Sequence, residues 1–257
     1  MNLLEHCLIP DWPAPGNVHS LQTTRNGGVS VAPYASLNLG DHVGDTALAV
    51  SRNRMLLEPL LPSEPVWLRQ VHGTAVADVL DADCRTEADA CVSSRTGAVC
   101  AVMTADCLPV LLCDEQGSVV GAVHAGWRGL CDGVIEKTVH DMNVRSDALM
   151  AWLGPAIGAQ KFEVGEEVRA AFIAKQPQAV AAFIPSPAQE GEKGASAPGE
   201  GEKYLADIYR LARLRLNALG ITRIYGGGLC TYTDSERFFS YRRDGVTGRM
   251  GTFIWLG

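Results

Sequence analysis

The sequence lacks several patterns that would assign it to a common class of protein. Its eight cysteines include no CxxC pair, which excludes the usual zinc-ribbon and thioredoxin motifs. No run approaches the roughly 18 consecutive apolar residues of a membrane span. Residues 1–16 have neither a basic segment nor a long apolar segment, so they do not resemble a signal peptide. We therefore expect a cytoplasmic protein with no membrane partner and with reduced cysteines.

Positive charge is also scarce. The chain has 22 Lys and Arg residues against 29 Asp and Glu residues, and its net charge of −7 argues against a nucleic-acid partner. A local arginine cluster could still bind an anionic small molecule. With 257 residues, of which 47% are hydrophobic and 20% charged, the chain can bury a full core. It contains no internal repeat, and its strands and helices lack the regular alternation of a doubly wound sheet.

The most informative stretch is a predicted hairpin of two buried strands. Leu108–Cys113 and Ser118–Val123 are apolar runs joined by a polar, glycine-containing turn. Such a hairpin places the residue before the first strand beside the residue after the second. Cys107 and His124 occupy these positions, so a thiol and an imidazole should lie side by side at one edge of a sheet. Packing requires neither group, nor the adjacent Asp106, and we interpret them as a site.

A second histidine could join this pair. His72 lies at the end of a predicted strand, Pro65–Gly73, and two imidazoles with one thiolate form a three-ligand zinc set. The fourth position would hold water or substrate, as catalytic zinc requires. Asp106 could then serve as a general base or orient an imidazole through its second nitrogen.

The same residues admit two other interpretations. Without a metal, Cys107 could act as a nucleophile with His124 as its base, and attack an acyl or glycosyl carbon. Two histidines and one cysteine also suit a type 1 copper site. The six histidines of the chain are too few for a multicopper cluster, so copper ranks below zinc.

Hydrophobic periodicity outlines the rest of the chain. The predicted helices are Thr46–Leu61, Leu130–Val144, Gly165–Gln176 and Tyr204–Leu219. Further predicted strands include Thr74–Leu80, Ala98–Met103, Ala148–Leu153, Arg223–Gly228 and Thr252–Leu256. Ser186–Lys203 is rich in Pro, Gly, Ser, Glu and Ala. Because it cannot bury a core, we predict a mobile surface loop there and not a domain boundary.

Candidate substrate-binding residues lie in three segments. Phe239, Tyr241 and Arg242 belong to a C-terminal run dense in aromatic and guanidinium groups, which suits binding of an anion or stacking of a base. Asn38 lies in a loop whose polar groups could line a cleft. Arg52, on the first predicted helix, is available to a ligand.

Several motifs together resemble one known family. In chain order they are SLNLG, VGD, QVHG at Gln70–Gly73, TADCLPV at Thr104–Val110, HAGWRG at His124–Gly129, GPAIG at Gly154–Gly158, and FSYRRDG followed by GRM. This order is similar to that of the YfiH family, also called the laccase-domain or multicopper polyphenol oxidase family. The resemblance covers nearly the whole chain except the low-complexity run.

The resemblance implies a fold and a set of metal ligands. The expected fold is α+β, a single domain over residues 1–257 with mixed β-sheets flanked by helices, similar to the cytotoxic necrotising factor/YfiH-like fold. The family's metal ligands correspond to His72, Cys107 and His124, and the expected metal is zinc, with copper as the alternative.

The resemblance also implies activities on small molecules. The first is phosphorolysis of adenosine, inosine and methylthioadenosine, with adenosine deamination as well. An alternative is a cytoplasmic amidase that removes L-serine from a UDP-muramic acid precursor in peptidoglycan editing, and a polyphenol oxidase ranks lower. In the expected phosphorolysis, Arg128 or an arginine of the C-terminal run counters phosphate charge, and Asp106 handles a proton. From their chemistry and their position in the motif, Phe239 and Tyr241 are predicted to stack the base.

Overall fold

The computed structural model describes residues 2–187 and 202–257 of the chain. Its thirteen described strands form three sheets. In chain order they are β1 (Cys7–Leu8), β2 (Val18–Thr23), β3 (Val76–Asp78), β4 (Ala90–Ser93), β5 (Val99–Thr104), β6 (Leu108–Asp114), β7 (Val120–Ala125), β8 (Leu149–Leu153), β9 (Glu163–Gly165), β10 (Phe183–Pro185), β11 (Lys203–Ala206), β12 (Arg223–Gly226) and β13 (Met250–Leu256).

The six α-helices of the described ranges are short. They are α1 (Ala47–Met55), α2 (Trp127–Asp132), α3 (Val134–Asp141), α4 (Glu166–Lys175), α5 (Ile208–Ala218) and α6 (Tyr241–Asp244). Four 3-10 segments accompany them, at Leu3–His6, Glu58–Leu60, Ser146–Ala148 and Pro177–Ala182. None of the helices in residues 2–187 and 202–257 combines the length and the apolar character needed to span a bilayer.

A mixed six-stranded sheet forms the middle of the molecule, in the order β12-β8-β6-β7-β4-β3. The terminal pairs β12–β8 and β3–β4 are parallel, and the other pairs are antiparallel. A four-stranded sheet has the order β1-β2-β13-β5, and a small sheet has the order β10-β11-β9. This arrangement confirms the expected α+β fold with mixed sheets in a single domain.

Side-chain alternation in β6 explains the layering. Leu108, Val110 and Leu112 belong to a core shared with helices α2 to α5. Leu111 and Cys113 point the other way, into a core shared with the four-stranded sheet. Because both faces of β6 and β7 are covered, these strands are continuous apolar runs, as is typical of strands buried on both sides. The predicted hairpin is confirmed.

The structure corrects the predicted strand Pro65–Gly73. This segment forms no ladder and makes only one isolated bridge, between Arg69 and Glu87. The reason is that its last backbone N–H groups, at Val71, His72 and Gly73, donate to the carboxylate of Asp89 and not to a neighbouring strand.

Three predicted helices also have different bounds. The helix predicted from Thr46 ends at Met55. The one predicted over Leu130–Val144 starts earlier and is divided into α2 and α3 at Gly133, whose φ is 103°. The one predicted from Tyr204 begins only at Ile208, because Lys203–Ala206 pairs with two strands and Asp207 caps the helix through Arg210 N.

The predicted mobile loop Ser186–Lys203 lies mostly outside the described residues. Its described ends are joined, since Ser186 N donates to Lys203 O at 2.9 Å where β10 and β11 pair.

Candidate metal centre and cavity

The central hairpin brings the predicted thiol and imidazole together. In the register of β6 and β7, Leu108 pairs with Ala125 and Pro109 with His124. Cys107 directly precedes β6, so its side chain lies at the same end of the hairpin as His124. His124 is 3% exposed, and Cys107 is half-buried.

His72 reaches the cluster from a loop in a left-handed backbone conformation. Its φ is 61°, a region that residues other than glycine rarely adopt. Its Nε2 lies 3.8 Å from Cys107 Sγ, and its ring centroid lies 4.8 Å from that of His124. The loop that carries His72 is fixed by Asp89, a fully buried residue just before β4.

Glycines leave space around this cluster. A Cβ atom added at Gly126 would lie 2.9 Å from His72 Cδ2 and 3.1 Å from Cys107 Sγ. A Cβ atom at Gly129 would lie 2.6 Å from the carbonyl oxygen of Gly73. The glycines of the HAGWRG motif therefore allow the start of α2 to pack directly against both the cluster and the His72 loop.

Electrostatics favour a thiolate in this cluster. Burial by itself raises the pKa of Cys107, but the charge and hydrogen bonding of His124, together with those of His72, lower it to about 6. Burial lowers the pKa of His124, while the Cys107 charge and the hydrogen bond to Asp89 raise it to about 9. The thiolate is the form of cysteine that binds metals.

The donor atoms fit a tetrahedral metal ion. One ligand atom from each of His72, Cys107 and His124 lies within 4.8 Å of the others. Bond lengths of about 2.0–2.3 Å would place tetrahedral ligands roughly 3.5 Å apart, so modest side-chain movement would complete the set. Among residues 2–187 and 202–257, no other group of three or more His, Cys, Asp or Glu side chains meets this criterion.

The cluster opens into a cavity of about 440 Å³. Its walls combine residues of the cluster with apolar, aromatic and guanidinium groups. The lining residues are His42, Gln70, His72, Met103, Thr104, Ala105, Asp106, Cys107, His124, Trp127, Ile157, Phe162, Ile208, Tyr241, Arg242 and Arg249. This volume is typical of small-molecule sites.

Two of the six predicted substrate-binding residues line this cavity, Tyr241 and Arg242. Tyr241 is 60% exposed. The Arg242 guanidinium lies 5.7 Å from the ring of Phe162, and its Nη1 donates to the carbonyl of Glu163.

The other four predicted residues do not line the cavity. Asn38 is fully buried and bonds Gly40, Asp45 and Arg249 N. Phe239 is also fully buried. Arg52 is exposed on α1, and Arg128 is exposed with its guanidinium 4.5 Å from the Trp127 ring. Sequence reasoning could not distinguish these solvent-facing or packed positions from the cavity wall.

Asp106 lines the cavity but is already bonded on both oxygens. Thr231 Oγ1 donates to Oδ1, and Arg242 N donates to Oδ2, each at 2.6 Å. The predicted alternative in which Asp106 orients an imidazole is not observed, because His124 Nδ1 pairs with Asp89 Oδ1 at 2.8 Å.

Two titratable residues at the site, Asp89 and His42, were not predicted from the sequence. Arg249 was predicted only as one of the C-terminal arginines, any of which could counter phosphate charge. Burial lowers its pKa, and the negative charges of Cys107 and Asp106 oppose that effect, as expected for a cation beside the cluster. Asp89 stands among other acidic residues and has no distinguishing sequence pattern.

Fold and cavity together define an α+β protein with a His-Cys-His metal candidate at the base of a small-molecule pocket. The chain belongs to the family whose model is described as multi-copper polyphenol oxidoreductase laccase, which matches residues 19–257. Relatives named YfiH confirm the resemblance that the motifs indicated.

Three relatives cover nearly the whole chain. A Pseudomonas aeruginosa protein named purine nucleoside phosphorylase is 51% identical over 249 residues, which are 97% of this chain and 98% of its own. The Escherichia coli K12 protein named purine nucleoside phosphorylase YfiH is 52% identical, covering 97% and 98%. A crystal structure of a Neisseria meningitidis protein has a TM-score of 0.88 at 49% identity, covering 98% and 99%.

Proposed function

We propose that this chain is a zinc-dependent purine nucleoside phosphorylase. One observation carries the proposal: the His72, Cys107 and His124 cluster opens into the same cavity as the guanidinium groups of Arg242 and Arg249. The names of relatives about half identical to this chain support the substrate class. We propose adenosine, inosine and methylthioadenosine as substrates, with deamination of adenosine as a second activity.

The donor set favours zinc. Two imidazoles and one thiolate with an open fourth position are typical of catalytic zinc, which polarises oxygens and lowers the pKa of bound water to about 7. Copper ranks lower because a multicopper oxidase needs further ligands, and the described residues offer one cluster of this kind.

The arginines are proposed to bind phosphate. Arg249 Nη1 donates to the carbonyls of Thr247 and Gly248, and no other hydrogen bond of its guanidinium is found among the described residues. Arginine forks suit phosphate oxygens, and both Arg242 and Arg249 face the cavity. Phosphate and the Cys107 thiolate are both negatively charged and repel each other. The guanidinium groups are proposed to offset this repulsion and to hold phosphate where it can attack the nucleoside.

The remaining cavity residues are proposed to bind the nucleoside. Tyr241 presents an exposed ring on which a purine can stack. Asp106 is proposed to accept a proton from the attacking phosphate and to pass it to the departing purine, since a carboxylate has about four lone-pair sites and two are taken by Thr231 and Arg242 N.

Incubation of the zinc-loaded protein with adenosine, with and without phosphate, tests the proposal when the products are separated by chromatography. Adenine formed only with phosphate, and lost in His124→Ala, supports phosphorolysis. Inosine in both samples supports deamination. His140→Ala is the matched control, because the His140 side chain is exposed and, among the described residues, bonds only Asp141. Absence of both products from the wild-type protein would contradict the proposal.

A second candidate is the cysteine amidase of peptidoglycan editing. It is favoured by the contact of Cys107 Sγ with His72 Nε2 and by the adjacent His124. This candidate predicts that UDP-muramoyl-L-serine is cleaved without metal and that alkylation of Cys107 abolishes the cleavage. Activity that survives chelation would distinguish it from the zinc enzyme.

A further inference from the structure

A buried carboxylate links the imidazole of His124 to the backbone that carries His72. Asp89 is 0% exposed and directly precedes β4, which pairs with β7. His124 is the penultimate residue of β7. We propose that Asp89 is a positioning residue that holds His72 and His124 together in the geometry that coordinates metal. The inference rests on the metal site of the proposed function, but it concerns a residue outside the ligand set.

Four donors converge on the two oxygens of Asp89. Oδ1 accepts from His72 N at 2.8 Å and lies 2.8 Å from His124 Nδ1. Oδ2 accepts from Gly73 N at 2.6 Å and from Val71 N at 3.2 Å. One side chain therefore fixes both the backbone that carries one ligand and the ring of the other.

The bond to His124 selects the ring nitrogen that faces the cluster. With Nδ1–H donating to Asp89, the lone pair of Nε2 is free to coordinate a metal. Carboxylate partners of this kind fix the tautomer and orientation of ligating histidines.

The bonds to residues 71–73 hold His72 in its unusual backbone conformation. A φ of 61° costs free energy for a residue with a side chain, so it persists only where surrounding bonds impose it. Three consecutive N–H groups on one carboxylate, from Val71, His72 and Gly73, provide that constraint.

An amide cannot replace this carboxylate. All four partners are donors, so the NH₂ group of Asp89→Asn must face one of two donor pairs. One pair is His124 Nδ1 with His72 N, and the other is Gly73 N with Val71 N. If it faces His124, the ring must turn or adopt the other tautomer, which places a hydrogen on Nε2. If it faces Gly73 and Val71, these two N–H groups lose their acceptor, and the His72 loop keeps only the bond from His72 N. Either way one imidazole ligand is lost from the coordinating geometry, whereas a role in stability alone would leave the ligands in place once the protein has folded.

Cobalt binding measures this directly. Metal-free wild-type protein and Asp89→Asn are titrated with Co²⁺, and the affinity and the visible and thiolate charge-transfer absorption are recorded. We expect Asp89→Asn to bind Co²⁺ about 10–100-fold more weakly, the range for loss of such carboxylate partners, with an altered ligand-field spectrum.

Asp114→Asn is the matched control. Asp114 is 3% exposed, lies at the opposite end of the same hairpin, and also accepts two backbone N–H bonds, from Ser118 and Val119. It should lower stability while leaving Co²⁺ affinity and spectrum as in the wild type. Wild-type affinity and spectrum in Asp89→Asn would overturn the inference and leave the metal site intact. No Co²⁺ binding by the wild-type protein would overturn the metal site and the inference with it.

A measurement on wild-type protein covers the case in which Asp89→Asn does not fold. In the zinc-loaded protein, ¹⁵N-resolved NMR should show His124 Nδ1 protonated, with a far-downfield and slowly exchanging proton shared with Asp89. The His72 ring, which has no such carboxylate bond among the described residues, should show no such proton. A protonated His124 Nε2, or a rapidly exchanging Nδ1 proton, would refute the positioning role.

Discussion

At the scale of single residues, Gly126 shows how little space the cluster allows. An added Cβ atom would lie 2.9 Å from His72 Cδ2, closer than real contacts permit, and 3.1 Å from Cys107 Sγ. We expect Gly126→Ala to displace a ligand and to lower zinc affinity at least tenfold. The cost in stability should stay near 1 kcal/mol, because the position is a helix N-cap with an ordinary φ of −64°. Isothermal titration with Zn²⁺ and denaturant unfolding measure the two effects.

The control for this substitution is Gly16→Ala. Nothing lies within 4 Å of a Cβ atom at Gly16, so its zinc affinity should match the wild type. Equal affinities in Gly126→Ala and Gly16→Ala would show that the cluster tolerates the methyl group.

Two arginines of different segments, Arg249 near the C-terminus and Arg128 on α2, provide a second test at this scale. Arg249 faces the cavity, whereas Arg128 is exposed above Trp127. Charged hydrogen bonds contribute about 1.5–3 kcal/mol, so Arg249→Gln should raise the KM for phosphate roughly tenfold to a hundredfold. Arg128→Gln should leave it nearly unchanged. Steady-state kinetics with varied phosphate measure the KM of both variants. A larger rise in KM for Arg128→Gln than for Arg249→Gln would identify Arg128 as the phosphate-binding residue.

At the scale of elements, the turn of the β6–β7 hairpin depends on Asp114. Its carboxylate accepts from Ser118 N, Ser118 Oγ and Val119 N at 2.7–3.0 Å. Burial opposes ionisation, but these bonds lower the pKa of Asp114 below its ordinary value of 3.8. The stabilisation is therefore full above that value and is lost as the pH falls through the lower folded-state pKa.

We expect Asp114→Asn to lose about 2 kcal/mol of unfolding free energy at pH 7. The difference between the variant and the wild type should shrink below about pH 4, since protonation removes the same charge from the wild type. Urea unfolding at a series of pH values measures it. A difference that is constant with pH would mean that the charge of Asp114 does not contribute.

The same hairpin explains which parts of the structure could be predicted. Two apolar runs and the polar turn between them predict β6 and β7 from local sequence, and the short connection determines their register. The contact between Cys107 and His124 could therefore be inferred from sequence. The segment that carries His72 could not, because its N–H groups bond a carboxylate 16 to 18 residues away. Likewise, Lys203–Ala206 has a helical pattern but becomes a strand, since two neighbouring strands offer it partners.

The site residues also differ in how far they could be predicted from the sequence. Cys107 and His124 follow from strand ends, and His72 was added by the resemblance and by its chemistry. Which arginine faces the cavity depends on the direction of each side chain in the folded protein, so Arg128 on α2 and Arg249 before β13 could not be ranked. Asp89 was missed because its importance lies entirely in contacts between separate segments.

At the scale of the whole molecule, the cluster joins three segments that come together only in the folded state: the His72 loop, the start of β6 and the end of β7. An ion bound there should therefore stabilise the native protein, by about 2.7 kcal/mol when free metal is at 100 times its Kd. For a chain of this size each kcal/mol shifts Tm by about 2–4 °C, so zinc should raise Tm by roughly 5–11 °C and a chelator should reverse the rise. His124→Ala, which removes a ligand, should give the same Tm with and without zinc. Calorimetry over a range of zinc concentrations tests this, and a zinc-dependent Tm in His124→Ala equal to that of the wild type would place the metal elsewhere in the chain.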